Sequence, residues 1–200
     1  MSERSAEARN QLVTQVLNAV DPRLKSSLRK ALASPGPALR PSATQTVVIA
    51  GHRAAGKSRL LPLVSRLLGR PGLDLDAELE RASGRSLRSW VAEAPGEFRV
   101  AERQALLNQP QGTLVSVGGG FLSHHPDALA GVFTLLVPLT FETYRERLLR
   151  DRTRPRLRPE VSLEEEISTL FHEREALHAR VTTVALVDFL RGCLILEESP

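Results

Sequence analysis

One stretch of this chain has residue types in an order that specifies a chemistry: Gly51-His52-Arg53-Ala54-Ala55-Gly56-Lys57-Ser58. It follows the apolar run Val47-Val48-Ile49-Ala50 and precedes Leu60-Leu61. A strand, a glycine-bounded loop ending in Lys-Ser and then a helix make a phosphate-binding P-loop in its proper context. Backbone N–H groups of residues 53–58 would wrap phosphates at a helix N-terminus, where the helix dipole favours anions. Apart from His52, the loop and the Arg59 that follows it are the expected nucleotide contacts. Lys57 would reach the β- and γ-phosphates, and the Ser58 hydroxyl is the expected magnesium ligand. Lysine usage sharpens the assignment. The chain has 27 basic residues and only three are lysines, Lys25, Lys30 and Lys57. From Thr46 onward Lys57 stands alone, at the one place that needs a compact ammonium. Ala54 occupies a position where related loops often carry glycine, and alanine tolerates a left-handed backbone less well.

Further candidates follow in chain order. Asp74-Leu75-Asp76 comes after a short apolar segment. Residues two apart in an extended segment point to the same side, so both carboxylates are expected in one cleft. One could sit in the outer shell of a magnesium ion while the other accepts a proton from a hydroxyl; a strand end with a helix N-cap explains the same residues. Arg99 and Glu102 are spaced to pair on a helix, as a held guanidinium fork or as a surface ion pair. Gly118-Gly119-Gly120 follows an apolar strand and permits close backbone approach to a ligand, or forms a simple turn. Seven arginines lie between Arg145 and Arg158, and prolines make the second half of that segment a loop. Such a loop near a P-loop can close over a nucleotide and stabilise charge on a transferring phosphoryl group, or it is a basic surface loop that binds acidic partners or nothing. Arg174, late on a long helix, reads alone as a solvated residue. The five histidines form no recognised zinc motif, and none is assigned a metal role.

The elements that must position these groups alternate from Thr46. Strands are expected at 46–50, 72–74, 113–117, 132–137 and 181–187. Helices are expected near 57–69, 76–83, 86–93, 97–108, 126–130, 140–151 and 162–179. Repeated alternation implies an α/β fold: a P-loop three-layer sandwich whose parallel sheet is flanked by helices. Ligands should gather at the carboxyl ends of the strands. Residues 1–45 read as a helical extension and linker, and 46–200 as the main domain. Leu12, Val16 and Val20 align on the first helix of the extension, and Leu24, Leu28 and Leu32 on the second. Asp21-Pro22 between them looks like an N-cap with proline at the first helical position. The pair reads as a helical extension packed on the main domain or on a partner. A docking hairpin, an oligomerisation element and the remnant of a DNA-binding module are other readings.

Composition excludes several classes. The single cysteine rules out an intramolecular disulfide and a cysteine-based zinc cluster. There is no run of 18 apolar residues and no secretory h-region, so a cytoplasmic protein without a membrane span is expected. Residues 1–45 hold seven basic and three acidic residues, which accounts for the whole net charge of +4. The balanced main domain gives no case for nucleic-acid binding.

The order and spacing of these pieces over roughly 46–188 resemble shikimate kinase, a small P-loop kinase of the nucleoside-monophosphate-kinase type. The resemblance rests on the P-loop, the Asp-x-Asp pair, the Phe98-Arg99-x-x-Glu102 element, the triple glycine, the Arg154-Pro155 lid and the late Arg174. It implies ATP and Mg2+ as cofactors, with Ser58 and Asp74 serving the metal. It implies that Lys57, Asp76 and Arg154 carry catalysis, with Arg154 also contacting ATP. It implies that Asp76, Arg99, Gly118, Gly119, Gly120 and Arg174 bind shikimate, the two arginines clamping its carboxylate. The implied reaction is ATP plus shikimate giving shikimate 3-phosphate and ADP, in a monomer or dimer. Other readings on the same scaffold are a regulatory domain sensing an aromatic acyl-CoA and a kinase of another hydroxy acid such as gluconate. The chain departs from the family in four places. The region before Phe98 is one residue short. The lid reads Arg-Pro-Arg-Leu instead of Arg-Pro-Leu-Leu, position 178 is His instead of Tyr, and the N-terminal extension is added.

Overall fold

The computed structural model describes residues 3–151 and 156–195. Strands β1 (Val47–Ala50), β2 (Gly72–Asp74), β3 (Leu114–Ser116), β4 (Phe133–Leu136) and β5 (Val184–Ala185) form one sheet in the order β2-β3-β1-β4-β5. Every pairing is parallel, with Val47 opposite Leu114 on one side and Phe133 on the other. Helices cover both faces, as parallel pairing with crossover connections requires.

Alternation along β1 divides the core. Val47 and Ile49 face one layer, built from α1 (Glu3–Ala19), α3 (Lys57–Leu68) and α10 (Leu186–Leu194). Val48 and Ala50 face the other, built from α4 (Leu75–Ser83), α5 (Leu87–Glu93) and α6 (Pro95–Leu107). Helix α1 is therefore part of the first layer. Its Val13, Val16 and Leu17, with Val20 just beyond it, are buried with Leu60 and Val64 of α3 and with Phe189 and Leu190 of α10. A second helix, α2 (Lys25–Ala33), packs on α10, and Arg191 of α10 donates to Ala31 O at 2.7 Å. The linker after it is tied down by Leu39 N donating to Asp188 O and Arg70 Nη1 donating to Gln45 O, each at 2.9 Å.

The remaining helices are α7 (Phe121–His124), α8 (Phe141–Arg150) and α9 (Leu163–His178). Most expected elements lie within one or two residues of their observed bounds. The expected strand 181–187 is corrected: only Val184–Ala185 pair with β4, and α10 begins at once. The β-branched residues Val181, Thr182, Thr183, Val184 and Val187 suggested a strand, whereas Leu186, Phe189, Leu190 and Cys193 recur at helical spacing and are buried as one face. The expected helix 126–130 is a 3-10 turn over Pro126–Leu129, preceded by the unexpected α7. Cys193 is 1% exposed in this layer, where burial pushes its thiol up to about 11. Among the described residues no helix is long and apolar enough to cross a membrane.

Candidate active site

The P-loop leaves the carboxyl end of β1 and the glycine run leaves the end of its neighbour β3. Two cavities open there. One, of about 380 Å3, is lined by Arg53, Ala54, Gly56, Lys57, Ser58 and Arg59, by Asp74 and Asp76, and by Arg147 from α8. The other, of about 320 Å3, is lined by Asp76, Phe98, Arg99, Glu102, Gly118, Gly119, Gly120 and Arg174, with Leu87, Arg88, Val91 and Leu157. Both share Arg53, Asp76, Gly118 and Gly119. A phosphate donor in the first and an acceptor in the second would meet beside Asp76.

The loop itself is drawn tightly together. Lys57 Nζ donates to Gly51 O at 3.1 Å and His52 O at 2.9 Å. Gly51 and Gly56 have positive φ, and Ala54 at φ 61 is the non-glycine residue with positive φ among those described. Ala55 is fully buried against the first core layer. Ser58 Oγ donates to Asp74 Oδ2 at 2.7 Å, which brings together the two oxygens expected to serve a metal.

Asp74 and Asp76 reach the same cavity, but by a different geometry from the one expected. Asp74 ends β2 and caps α4, accepting from the N–H of Asp76 and Ala77, so Asp76 already sits in the first helical turn. Its Oδ1 is buried without a hydrogen-bond partner among the described residues. Burial, then the negative charges of Glu102 and Asp74, push its carboxyl up to about 6, against the pull of Lys57 and Arg99. That value suits a group that takes a proton near neutral pH.

Arg99 donates to Glu102 and lies over the ring of Phe98. Arg174 is 8% exposed, with an Nη1 that has no hydrogen-bond partner among the described residues. Burial and repulsion from Arg99 lower its pKa, yet a guanidinium keeps its charge. Two cations at one cavity wall, one with an unused donor, call for an anion such as a carboxylate. The solvated reading of Arg174 is thereby corrected: α9 turns it inward beneath the site.

Two of the three glycines are sterically constrained. A Cβ on Gly119 would fall 2.5 Å from Arg53 N, and one on Gly118 would fall 3.0 Å from both Asp76 Oδ1 and Glu102 Oε1. The β3 loop and the P-loop touch backbone to backbone. Arg154 lies outside the described residues. The far end of its segment is anchored, with Arg156 Nε donating to Glu166 Oε2 at 2.5 Å and Leu157 N donating to Glu166 Oε1 at 2.8 Å. Arg156 is the residue by which the lid departs from the family, and buried Glu166 is its counterpart.

Three residues with a place at the site were missed from sequence. Arg147 donates from Nη1 to Ala54 O at 2.6 Å and lines the P-loop cavity. His125 donates to Glu102 from behind. His52 is buried, stacks on Phe171 and bonds Glu175 Oε1 at 2.6 Å, fixing α9 to the P-loop. His52, Glu175 and His178 bring their ligand atoms within 4.8 Å of one another. Burial lowers both imidazoles' pKa, His178 to about 4, and the charges of Arg174 and Lys57 add to this. The same positive surroundings oppose a cation there. Arg147 was hidden in an arginine-rich run, and no spacing rule marks His52 as a partner of α9.

Comparison with known proteins agrees with this geometry. The family model "Shikimate kinase" matches residues 53–188. The shikimate kinase of Tolumonas auensis is 32% identical over 146 residues, covering 68% of this chain and 83% of that protein. That of Desulforudis audaxviator is 34% identical over 125 residues, covering 58% of this chain and 65% of the relative. Among solved structures, shikimate kinase from Acinetobacter baumannii in complex with shikimate is 28% identical. It has a TM-score of 0.59, with 70% of this chain and 82% of that one covered. With the family model spanning more than half of its length, the chain belongs to the shikimate kinase family.

Proposed function

We propose that this chain transfers the γ-phosphoryl group of ATP to a hydroxyl of shikimate, giving shikimate 3-phosphate and ADP. The observation that carries the reading is the meeting of a P-loop cavity and an arginine-lined cavity at one buried carboxylate, Asp76. ATP occupies the first, its phosphates held by backbone N–H groups of the P-loop and by Lys57, which exchanges its bonds to Gly51 O and His52 O for phosphate oxygens. Arg147 flanks the nucleotide. Shikimate occupies the second, its carboxylate between Arg99 and Arg174 and its ring against Gly118, Gly119 and Gly120. Asp76 accepts the proton of the attacking hydroxyl. Ser58 Oγ and Asp74 Oδ2 are hard oxygens 2.7 Å apart at the start of α3, a donor set that fits Mg2+. When bound there, Mg2+ neutralises charge on the β- and γ-phosphates. The rest of the catalysis is positioning in a site walled by charge. A cytoplasmic setting, where ATP is available, fits this reading.

A coupled ADP-release assay with shikimate, gluconate or no acceptor tests it. Shikimate-dependent ADP release that is lost in Lys57→Ala is expected. ADP release with gluconate alone, or none with either acid at high enzyme concentration, would overturn the assignment. Stabilisation by an aromatic acyl-CoA and not by shikimate would favour a sensing domain instead.

A further inference from the structure

Residues 19–23 lie outside the span matched by the family model, yet they touch both the P-loop and the start of α8, two elements that line the nucleotide cavity. On one side, the last turn of α1 abuts the P-loop: a Cβ on Gly56 would meet Ala19 O at 3.5 Å, and Val16 and Val20 are buried against α3. On the other side is the first turn of α8. Asp21 is 0% exposed and bonds across to it. Its Oδ2 accepts from Thr140 N at 2.7 Å and Thr140 Oγ1 at 2.6 Å. Its Oδ1 accepts from Thr143 Oγ1 at 2.7 Å and, locally, from Arg23 N at 2.9 Å. Thr140 is itself the N-cap of α8, so Asp21 places a negative charge at that helix's positive end. Arg23 pairs with Glu146 one turn further along. Helix α8 carries Arg147, whose bond to Ala54 O closes the circuit back to the P-loop.

We propose that Asp21 is a positioning residue for the nucleotide site: it fixes α8, and with it Arg147, against the P-loop. The inference rests on the kinase reading only in taking the P-loop cavity as the nucleotide site. A carboxylate with its acceptor positions filled by donors from two segments 119 residues apart is a rigid joint. Ordinary solubility or packing needs are met by α1's apolar face and do not require a buried charge there. The joint leaves the acceptor cavity untouched, since none of its residues lines that pocket.

The test is direct binding of Mg-ADP and of shikimate by calorimetry, which needs no turnover. For Asp21→Ala the expected result is about tenfold weaker Mg-ADP binding, the worth of one charge-assisted hydrogen bond misplaced. Shikimate affinity should stay within about twofold, and Asp21→Asn, which keeps an acceptor, should recover part of the loss. In an Arg147→Ala background, Asp21→Ala should add less than about twofold, because the effect runs through Arg147. If Asp21→Ala does not fold, Thr143→Val removes one bond and should shift Mg-ADP affinity in the same direction by less. Equal weakening of both ligands, full additivity with Arg147→Ala, or a lowered melting temperature with both affinities unchanged would each overturn the proposal. Weak shikimate binding in the unmodified protein, with Mg-ADP binding intact, would instead count against the substrate assignment.

Discussion

Arg99 Nη1 donates to Glu102 Oε2 at 2.7 Å, and the carboxylate beneath is 1% exposed where the guanidinium is 25% exposed. The pair is a cation at a cavity wall backed by a buried anion, with His125 donating to the same oxygen from behind. Glu102→Gln should therefore loosen Arg99 and raise the KM for shikimate about tenfold, with a smaller change in the KM for ATP. It should also move the acid limb of the pH–rate profile downward, because Glu102 is one of the charges that raise Asp76. A profile with an unmoved acid limb would count against this coupling.

Asp76 links activity and stability in opposite senses. Its ordinary value is 3.8 and the fold raises it to about 6, so ionisation is easier in the unfolded chain. Stability is thus fully present below about pH 4 and is lost as pH rises through 6, by about 3 kcal/mol. Asp76→Asn should raise the melting temperature at pH 7.5 and give no gain below pH 4, while abolishing turnover. In the unmodified protein kcat/KM should fall tenfold per pH unit below about 6, as Asp76 takes up its proton.

Ala54 holds a left-handed backbone that costs an alanine about 1–2 kcal/mol. Part of any gain on substitution returns as unfolded-state entropy. Ala54→Gly should stabilise the protein by about 1 kcal/mol, read as a melting temperature about 2–4 °C higher. Arg147 bonds Ala54 through its carbonyl, so nucleotide affinity should be kept.

Gly119→Ala tests the contact between the two loops. The added methyl would meet Arg53 N and Cα at 2.5 and 2.7 Å, backbone that cannot rotate away. Both cavities share that wall, so steady-state kinetics should show higher KM values for ATP and for shikimate together.

The sheet, the P-loop and the order of the site residues were legible because each depends on local pattern: an apolar strand, glycines, and a lysine before a helix. Ala54's strain was legible for the same reason. What escaped depends on distance or on depth. Asp21 reads as a cap for the turn beside it, and it is one, but its further bonds reach Thr140 and Thr143, beyond any local pattern. Arg99 and Glu102 have the spacing of a surface pair, and only the packing around α6 shows Glu102 to be buried. Arg174 looked solvated because its helix has charged residues on every side. The run from Val181 looked like strand because branching at Cβ favours extended backbone, whereas burial of Leu186, Phe189 and Leu190 decides for helix.

Cys193, the chain's single thiol, lies in the layer that joins α1 and α10 to the sheet. Its surroundings keep it protonated and shielded, so an alkylating reagent meets it only when that layer opens. The molecule therefore carries its own clock: the labelling rate of one sulfur reports how often the amino- and carboxyl-terminal helices part from the sheet. Nucleotide held at the P-loop should slow that clock by mass action on the closed form.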